Sequence, residues 1–267
     1  MNDIYEAILE TRKVGGKAAL ATIVSQKGST PAPLGSKYLV REDGSTVGTI
    51  GGGCVEAEVW EEAKKVIREG EAKMASFKLT EQRDEDGVME IDGLICGGTI
   101  EVFIEPIISY PTVHIFGAGH VSLPLARMSK MIGFRVVVID DREIYANRER
   151  FPDADEVVVS EFKKYFEKFV PDESSYIVIV TRGHRHDGTV LGWACRTEAR
   201  YVGLMGSRAK KNIIYNELRS KGIPDEDLNR VSSPIGLEIG SKTPQEIAVS
   251  ILAEMIRDMR MGKKGEK

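Results

Sequence analysis

The feature that most limits what this chain can fold into is Gly117-Ala118-Gly119-His120-Val121-Ser122, which follows an apolar run at 113–116 and opens a helical pattern. Asp140 and Asp141 close the next apolar run, about twenty residues on. Glycines at such a place permit a tight strand-to-helix turn. The helix N-terminus suits a phosphate, and a strand-end acid suits ribose hydroxyls. Further short β-prone runs at 135–139, 156–159, 176–180 and 201–205 alternate with helical patterns near 121–131, 161–169, 187–198 and 207–221. Parallel strands need crossovers, so this alternation implies a doubly wound parallel sheet. Ser122 stands where the fingerprint has its third glycine, and Pro124 in the first turn makes Ser122 the expected N-cap. Gly117, Gly119, His120, Asp140 and Asp141 are therefore candidates for binding a dinucleotide. Arg142 beside the acids would favour a 2′-phosphate, so NAD and NADP both stay open, as does a Rossmann scaffold holding another phosphorylated ligand or none.

The first hundred residues read differently. A short helix at 3–13 precedes an apolar, β-prone run at 18–25 and a turn-rich loop, KGSTPAPLGS. Strands at 38–40 and 46–50 are joined by Asp43-Gly44, a hairpin signal. Val55, Val59, Ala63, Val66 and Ile67 recur at helical spacing, which predicts a helix from about 54 to 68. A strand at 74–79, an acidic turn-forming stretch at 81–87 expected to be exposed, and a strand at 99–107 complete the half. The expected architecture is α/β: an N-terminal α+β domain, 1–108, followed by a Rossmann-like doubly wound parallel-sheet domain, 112–267. The second ends on an amphipathic helix over 243–259, with Thr243 and Glu246 forming a capping box around Pro244.

Composition removes several classes of function. The net charge is −4 and the basic residues are dispersed, which argues against a nucleic-acid partner. No apolar run approaches the roughly 20 residues that cross a bilayer, and the acidic start is unlike a signal peptide, so no membrane partner is expected. Three cysteines, Cys54, Cys96 and Cys195, make no disulfide framework and suit a reducing cytoplasm.

Two further constellations carry chemistry. In Gly48-Thr49-Ile50-Gly51-Gly52-Gly53-Cys54-Val55-Glu56 the glycines let a ligand approach the backbone, and the helix that follows offers free N–H groups to an anion. Cys54 at that terminus is placed as a reactive thiol and a soft metal ligand, although a small buried residue at a helix start is the plainer alternative. Cys96 precedes Gly97-Gly98, a second close-approach turn, and would give a two-thiol site if it meets Cys54; Cys195, between apolar neighbours, reads as core. Thr181-Arg182-Gly183-His184-Arg185-His186-Asp187 follows a strand, where ligands of open α/β sheets bind. His184, His186 and Asp187 could bind a ligand or a metal there, but Asp187 is equally a natural N-cap. After the next strand, Ser207 can cap a helix while Arg208 meets a phosphate.

Taken in order, these residues resemble the XdhC/CoxI family of xanthine dehydrogenase accessory proteins. The resemblance runs nearly end to end, through ATIVSQKGSTPAPLGSKYLV, GTIGGGCVE, ICGGTIEVFIEP, HIFGAGHV, IDDR, TRGHRHD, GSR and PIGLEIGSKTPQEIAVSILAEMI. It implies a carrier of the molybdenum cofactor (molybdopterin) that holds it while a cysteine desulfurase supplies the sulfido ligand. The carrier then inserts it into a xanthine-dehydrogenase-type apoenzyme. By that likeness Cys54 contacts the metal or protects it, Gly51, Gly52 and Gly53 admit the pterin phosphate, and a homodimer is expected, as for many carriers. An NAD(P)-dependent oxidoreductase and a docking protein for desulfurase and dehydrogenase remain as alternatives. The four histidines show no proton-transfer constellation, which favours a carrier over a catalyst.

Overall fold

The computed structural model describes residues 3–13, 15–79, 89–90 and 98–262, and the chain divides into two compact units between Ser109 and Tyr110. In the first, α1 (Ile4–Lys13) leads into β1 (Ala18–Lys27), β2 (Lys37–Arg41) and β3 (Thr46–Gly48). Then come α2 (Gly53–Glu69), β4 (Lys73–Lys78), β5 (Met89–Glu90) and β6 (Thr99–Ile107). The sheet runs β3-β2-β1-β6-β4-β5 and is antiparallel except for β4 with β5.

β1 lacks a polar–apolar alternation because both its faces are covered. Side chains alternate across a strand, so Ala19, Ala21 and Ile23 face the core beneath α2, with Val55, Val59 and Ala63. Ala18 and Leu20 point the other way, against Ala7 of α1. The ladder between β1 and β6 slips by one residue between Ile23 and Ser25, leaving Val24 exposed. The expected acidic stretch 81–87 lies outside the described residues.

The second unit contains β7 (Thr112–Phe116), α3 (Ser122–Met131), β8 (Arg135–Asp140), β9 (Glu156–Val159), α4 (Phe162–Phe166) and β10 (Ser175–Ile179). It continues with α5 (His184–Ala194), β11 (Tyr201–Leu204), α6 (Arg208–Ser220), α7 (Asp225–Asn229) and α8 (Pro244–Met261). All five strands are parallel, in the order β11-β10-β7-β8-β9. The chain builds outward from β7 through β8 to β9, then returns to place β10 and β11 on the other side. The topological switch point therefore lies between the carboxyl ends of β7 and β10. α3 and α8 cover one face, and α4, α5 and α6 the other. β7, β8, β10 and β11 are buried on both faces, which is why they read as continuous apolar runs, while the edge strand β9 is partly exposed.

Several expectations meet the structure directly. The capping box of α8 forms: Thr243 Oγ1 accepts from Glu246 N, and the Glu246 carboxylate accepts from Thr243 N. Ser207 caps α6 by accepting from Lys210 N. Cys195 is core, fully buried at the end of α5, and burial pushes its thiol up to about 11. Two caps are corrected. Ser122 is the first residue of α3 rather than its cap, and its hydroxyl donates inward to Gly117 O at 2.5 Å. Asp187 does not cap α5 either, because the helix starts at His184 behind Gly183. Among the described residues no helix is long and apolar enough to cross a membrane.

Candidate functional site

The glycine turn of the first unit is held from inside. Gly51, Gly52 and Gly53 take φ of 123°, 76° and 62°, a run that side-chain-bearing residues resist. At Gly51 a Cβ would also lie 2.5 Å from Pro31 Cγ, so the 27–36 loop packs against the turn. Space around Gly52 and Gly53 is open. One carboxylate oxygen, Glu56 Oε1, accepts from Thr49 Oγ1 at 2.5 Å, Ile50 N at 3.1 Å and Gly52 N at 3.0 Å. Thr49 Oγ1 in turn accepts from Gly51 N at 3.2 Å. Glu56 thus braces the turn. No side chain caps α2 at Gly52, so the N–H groups of its first turn lack the usual partner. Cys54, the second residue of that turn, is exposed, which removes the plainer reading of a buried small residue. Gly51, Gly52, Gly53, Cys54 and Glu56 are therefore brought together. Cys96 lies outside the described residues. Thr49 carries no signal in the sequence beyond its place before the glycine run.

The switch point of the second unit gathers the other candidates. Gly117 has φ 109°, and a Cβ there would lie 2.5 Å from Val180 O, so only glycine allows β7 and β10 to part this closely. Gly119 borders open space, and His120 beside it is exposed. Two N–H groups of the turn are already used: Gly117 N donates to Ile139 O at 2.7 Å and Ala118 N to Asp140 Oδ2 at 2.8 Å. Burial alone would raise the Asp140 carboxyl. Hydrogen bonds from Arg142 and Ala118 N outweigh it and hold the carboxyl below the usual value. Asp141 pairs with Arg182, Nη2 to Oδ2 at 2.8 Å.

After β10, Asp187 is fully buried: its Oδ1 accepts from Thr181 Oγ1 at 2.6 Å and its Oδ2 pairs with Lys210 Nζ. His184 and Arg208, each opening a helix, are exposed. His186 lies edge-on to Phe162, with ring centres 5.7 Å apart. Among the described residues no group of three or more His, Cys, Asp or Glu side chains could hold a metal. The roles of Thr181, Arg182 and Lys210 are not legible in sequence, since their partners lie up to 41 residues away.

Comparison with known proteins follows the same division. A family model described as the XdhC and CoxI family matches residues 11–78, and one described as the XdhC Rossmann domain matches 113–255, more than half of the chain. An uncharacterized protein of Escherichia coli strain K12, YqeB, is 35% identical over 90% of this chain, which spans 43% of that relative's length. A Bacillus subtilis strain 168 protein, described as a probable subunit of xanthine dehydrogenase, is 25% identical over 95% of this chain and 96% of its own. PaoD of Escherichia coli, named a molybdenum cofactor insertion chaperone, is 23% identical over 94% of this chain and 86% of its own. A solved structure from Bacillus halodurans, described as a xanthine dehydrogenase, matches with TM-score 0.54 at 24% identity. It covers 98% of this chain and 97% of its own, a likeness of fold.

Proposed function

The chain belongs to the XdhC and CoxI family, and on that premise we propose that it carries the molybdenum cofactor during maturation of a molybdenum hydroxylase. It binds the cofactor, holds it for sulfuration and delivers it to a xanthine-dehydrogenase-type apoenzyme, with a cysteine desulfurase as the sulfur donor and a homodimer as its working form. The similarity to PaoD supports the maturation role. The observation that carries the reading is the exposed Cys54 thiol on a turn that is open at Gly52 and Gly53 and held in shape by Glu56.

The donor set suits this cargo. A thiolate is a soft ligand, matched to a metal centre already bearing sulfur. The uncapped first turn of α2 offers N–H groups and the positive end of a helix dipole to the pterin phosphate. Glu56 works against a bare phosphate, because its carboxylate lies in the same turn. Recognition therefore needs the metal and the thiol together, and the phosphate alone binds weakly. Cys96, with Gly97 and Gly98, is a second candidate contact.

The test is metal and pterin analysis after anaerobic purification from a host that makes the cofactor. Wild type is expected to hold near-stoichiometric molybdenum and releasable pterin, and Cys54→Ala to lose both while keeping its melting temperature. Equal loading of wild type and Cys54→Ala removes the role assigned to Cys54. Absence of molybdenum and pterin from well-folded wild type removes the carrier reading itself.

A further inference from the structure

We propose that the parallel-sheet unit lacks the nicotinamide-dinucleotide site that its glycine turn announces, because Asp140, Arg142, Asp141 and Arg182 form an ion-pair strap across the switch point. A dinucleotide bound at such a point lies across the strand ends. Its diphosphate sits over the glycine turn and its ribose hydroxyls meet the acid that ends the second strand.

That acid has no capacity left. A carboxylate offers about four lone-pair sites. Asp140 Oδ1 accepts from Arg142 N at 3.1 Å and Arg142 Nε at 2.9 Å; Oδ2 accepts from Ala118 N at 2.8 Å and Arg142 Nη2 at 3.1 Å. All four sites are filled, and the Asp140 side chain is 3% exposed. Asp140 has no site left for the ribose diol, and Asp141 beside it, the other candidate, is tied to Arg182 through Oδ2.

A 2′-phosphate fares no better. Arg142, the cation that would take it, is bidentate on Asp140 and lies over the Tyr145 ring at 3.9 Å. Asp141 stands 3.7 Å from Arg142 Nε, so an arriving phosphate would meet a second carboxylate.

The outer half of the strap crosses the ligand's path. Asp141 follows β8 and Arg182 follows β10, the two strands that flank β7. Neighbouring strands lie about 4.8 Å apart, so this pair bridges roughly 10 Å past the end of β7. Arg182 is half exposed, and exposed pairs are weak. The exclusion therefore rests on the buried inner clamp, with the outer pair as a secondary obstacle. The glycine turn has a different task in this chain: it lets β7 and β10 diverge at Gly117, and its Ala118 N–H anchors Asp140.

Two measurements decide the matter. Wild-type protein is titrated with NAD⁺, NADH, NADP⁺ and NADPH to about 1 mM, followed by thermal shift and calorimetry, since a ligand of the folded state raises the melting temperature by mass action. No shift and no saturable heat are expected; a dissociation constant below about 100 μM for any of the four overturns the proposal. The second measurement is the melting temperature of ligand-free Asp140→Asn. A ribose-reading acid is dispensable without its ligand, whereas breaking a buried clamp should lower the transition of this unit by about 6 °C or more. An unchanged melting temperature in Asp140→Asn also overturns it.

Discussion

His114 offers the most demanding quantitative test of the second unit. It sits in the middle of β7, buried, with its ring stacked on Phe169 at 3.9 Å and its Nδ1 3.4 Å from Tyr165 Oη. Burial, helped by the Arg135 charge, pushes its pKa down to about 3 from an ordinary 6.5. A base with a depressed folded-state pKa is neutral in both states above pH 6.5 and contributes no pH dependence there. As pH falls below 6.5 the unfolded chain takes up a proton that the folded chain refuses, so stability drops toward the folded value near 3. At pH 5 the loss is 1.36 kcal/mol per pKa unit over about one and a half units, or about 2 kcal/mol relative to pH 8. A folded pKa one unit higher changes this figure little. The depressed carboxyls of Glu62, Asp140 and Asp155 lose their contributions only at lower pH, below the ordinary carboxylate values, so the window from pH 6.5 to 5 isolates His114.

The assay can be read in one unit. The chain has two tryptophans, and Trp193 stacks on Phe166 at 4.2 Å and lies 5.8 Å from Phe169, the ring beneath His114. In a Trp60→Phe background, urea unfolding followed by Trp193 fluorescence should lose about 2 kcal/mol between pH 8 and pH 5. His114→Phe keeps a ring on Phe169 but strands the Tyr165 hydroxyl, a pH-independent cost of about 1–2 kcal/mol, and it should abolish most of the pH dependence. Equal pH dependence in the two proteins would refute the argument that β7 buries a neutral imidazole.

Two other perturbations separate roles that the geometry distinguishes. Glu56→Gln keeps an oxygen that can accept from Thr49, Ile50 and Gly52 while removing the charge, so it should retain molybdenum; Glu56→Ala should lose at least about tenfold in cofactor retention, a gap near 1.4 kcal/mol. Equal loss in both variants would make Glu56 a direct ligand rather than a brace. Gly117→Ala should cost about 2 kcal/mol or more, because its Cβ meets Val180 O and its φ is 109°, whereas Gly119→Ala, with open space around it, should stay within about 0.5 kcal/mol; urea unfolding at Trp193 checks both.

Local pattern was legible where one residue type has one physical meaning. The strand at 99–107 emerged with its bounds intact, and Thr243, Pro244 and Glu246 announced α8, because caps are written within four residues. The alternation of strands and helices after residue 112 implied a parallel sheet, and the sheet is parallel. What could not be read was which side chain pairs with which, whether the partner is distant or close in sequence. Asp187 looked like a helix cap because nothing nearby showed that Lys210 would neutralise it in the interior. Arg142 looked like a phosphate ligand because sequence does not reveal that it folds back onto Asp140, two residues away. At the candidate site the glycines, Cys54 and Glu56 were visible as a group, yet Glu56 as the organiser of the turn became apparent only from its three donors.

The pairing of α3 with α8 has a consequence for how the chain is made. Ala248, Ile251, Leu252 and Met255 complete the cluster that Leu125 and Ala126 begin, yet α8 starts at Pro244 and α3 ends at Met131. A ribosome adding about 5–20 residues per second leaves that face of the nascent sheet half covered for roughly 10 s. During that interval Val113, Ile115, Val136 and Val138 line an apolar surface with one helix missing. Stalled or truncated products ending before 244 should therefore aggregate or be captured by holdase chaperones, and α8 supplied in trans as a peptide should rescue their solubility.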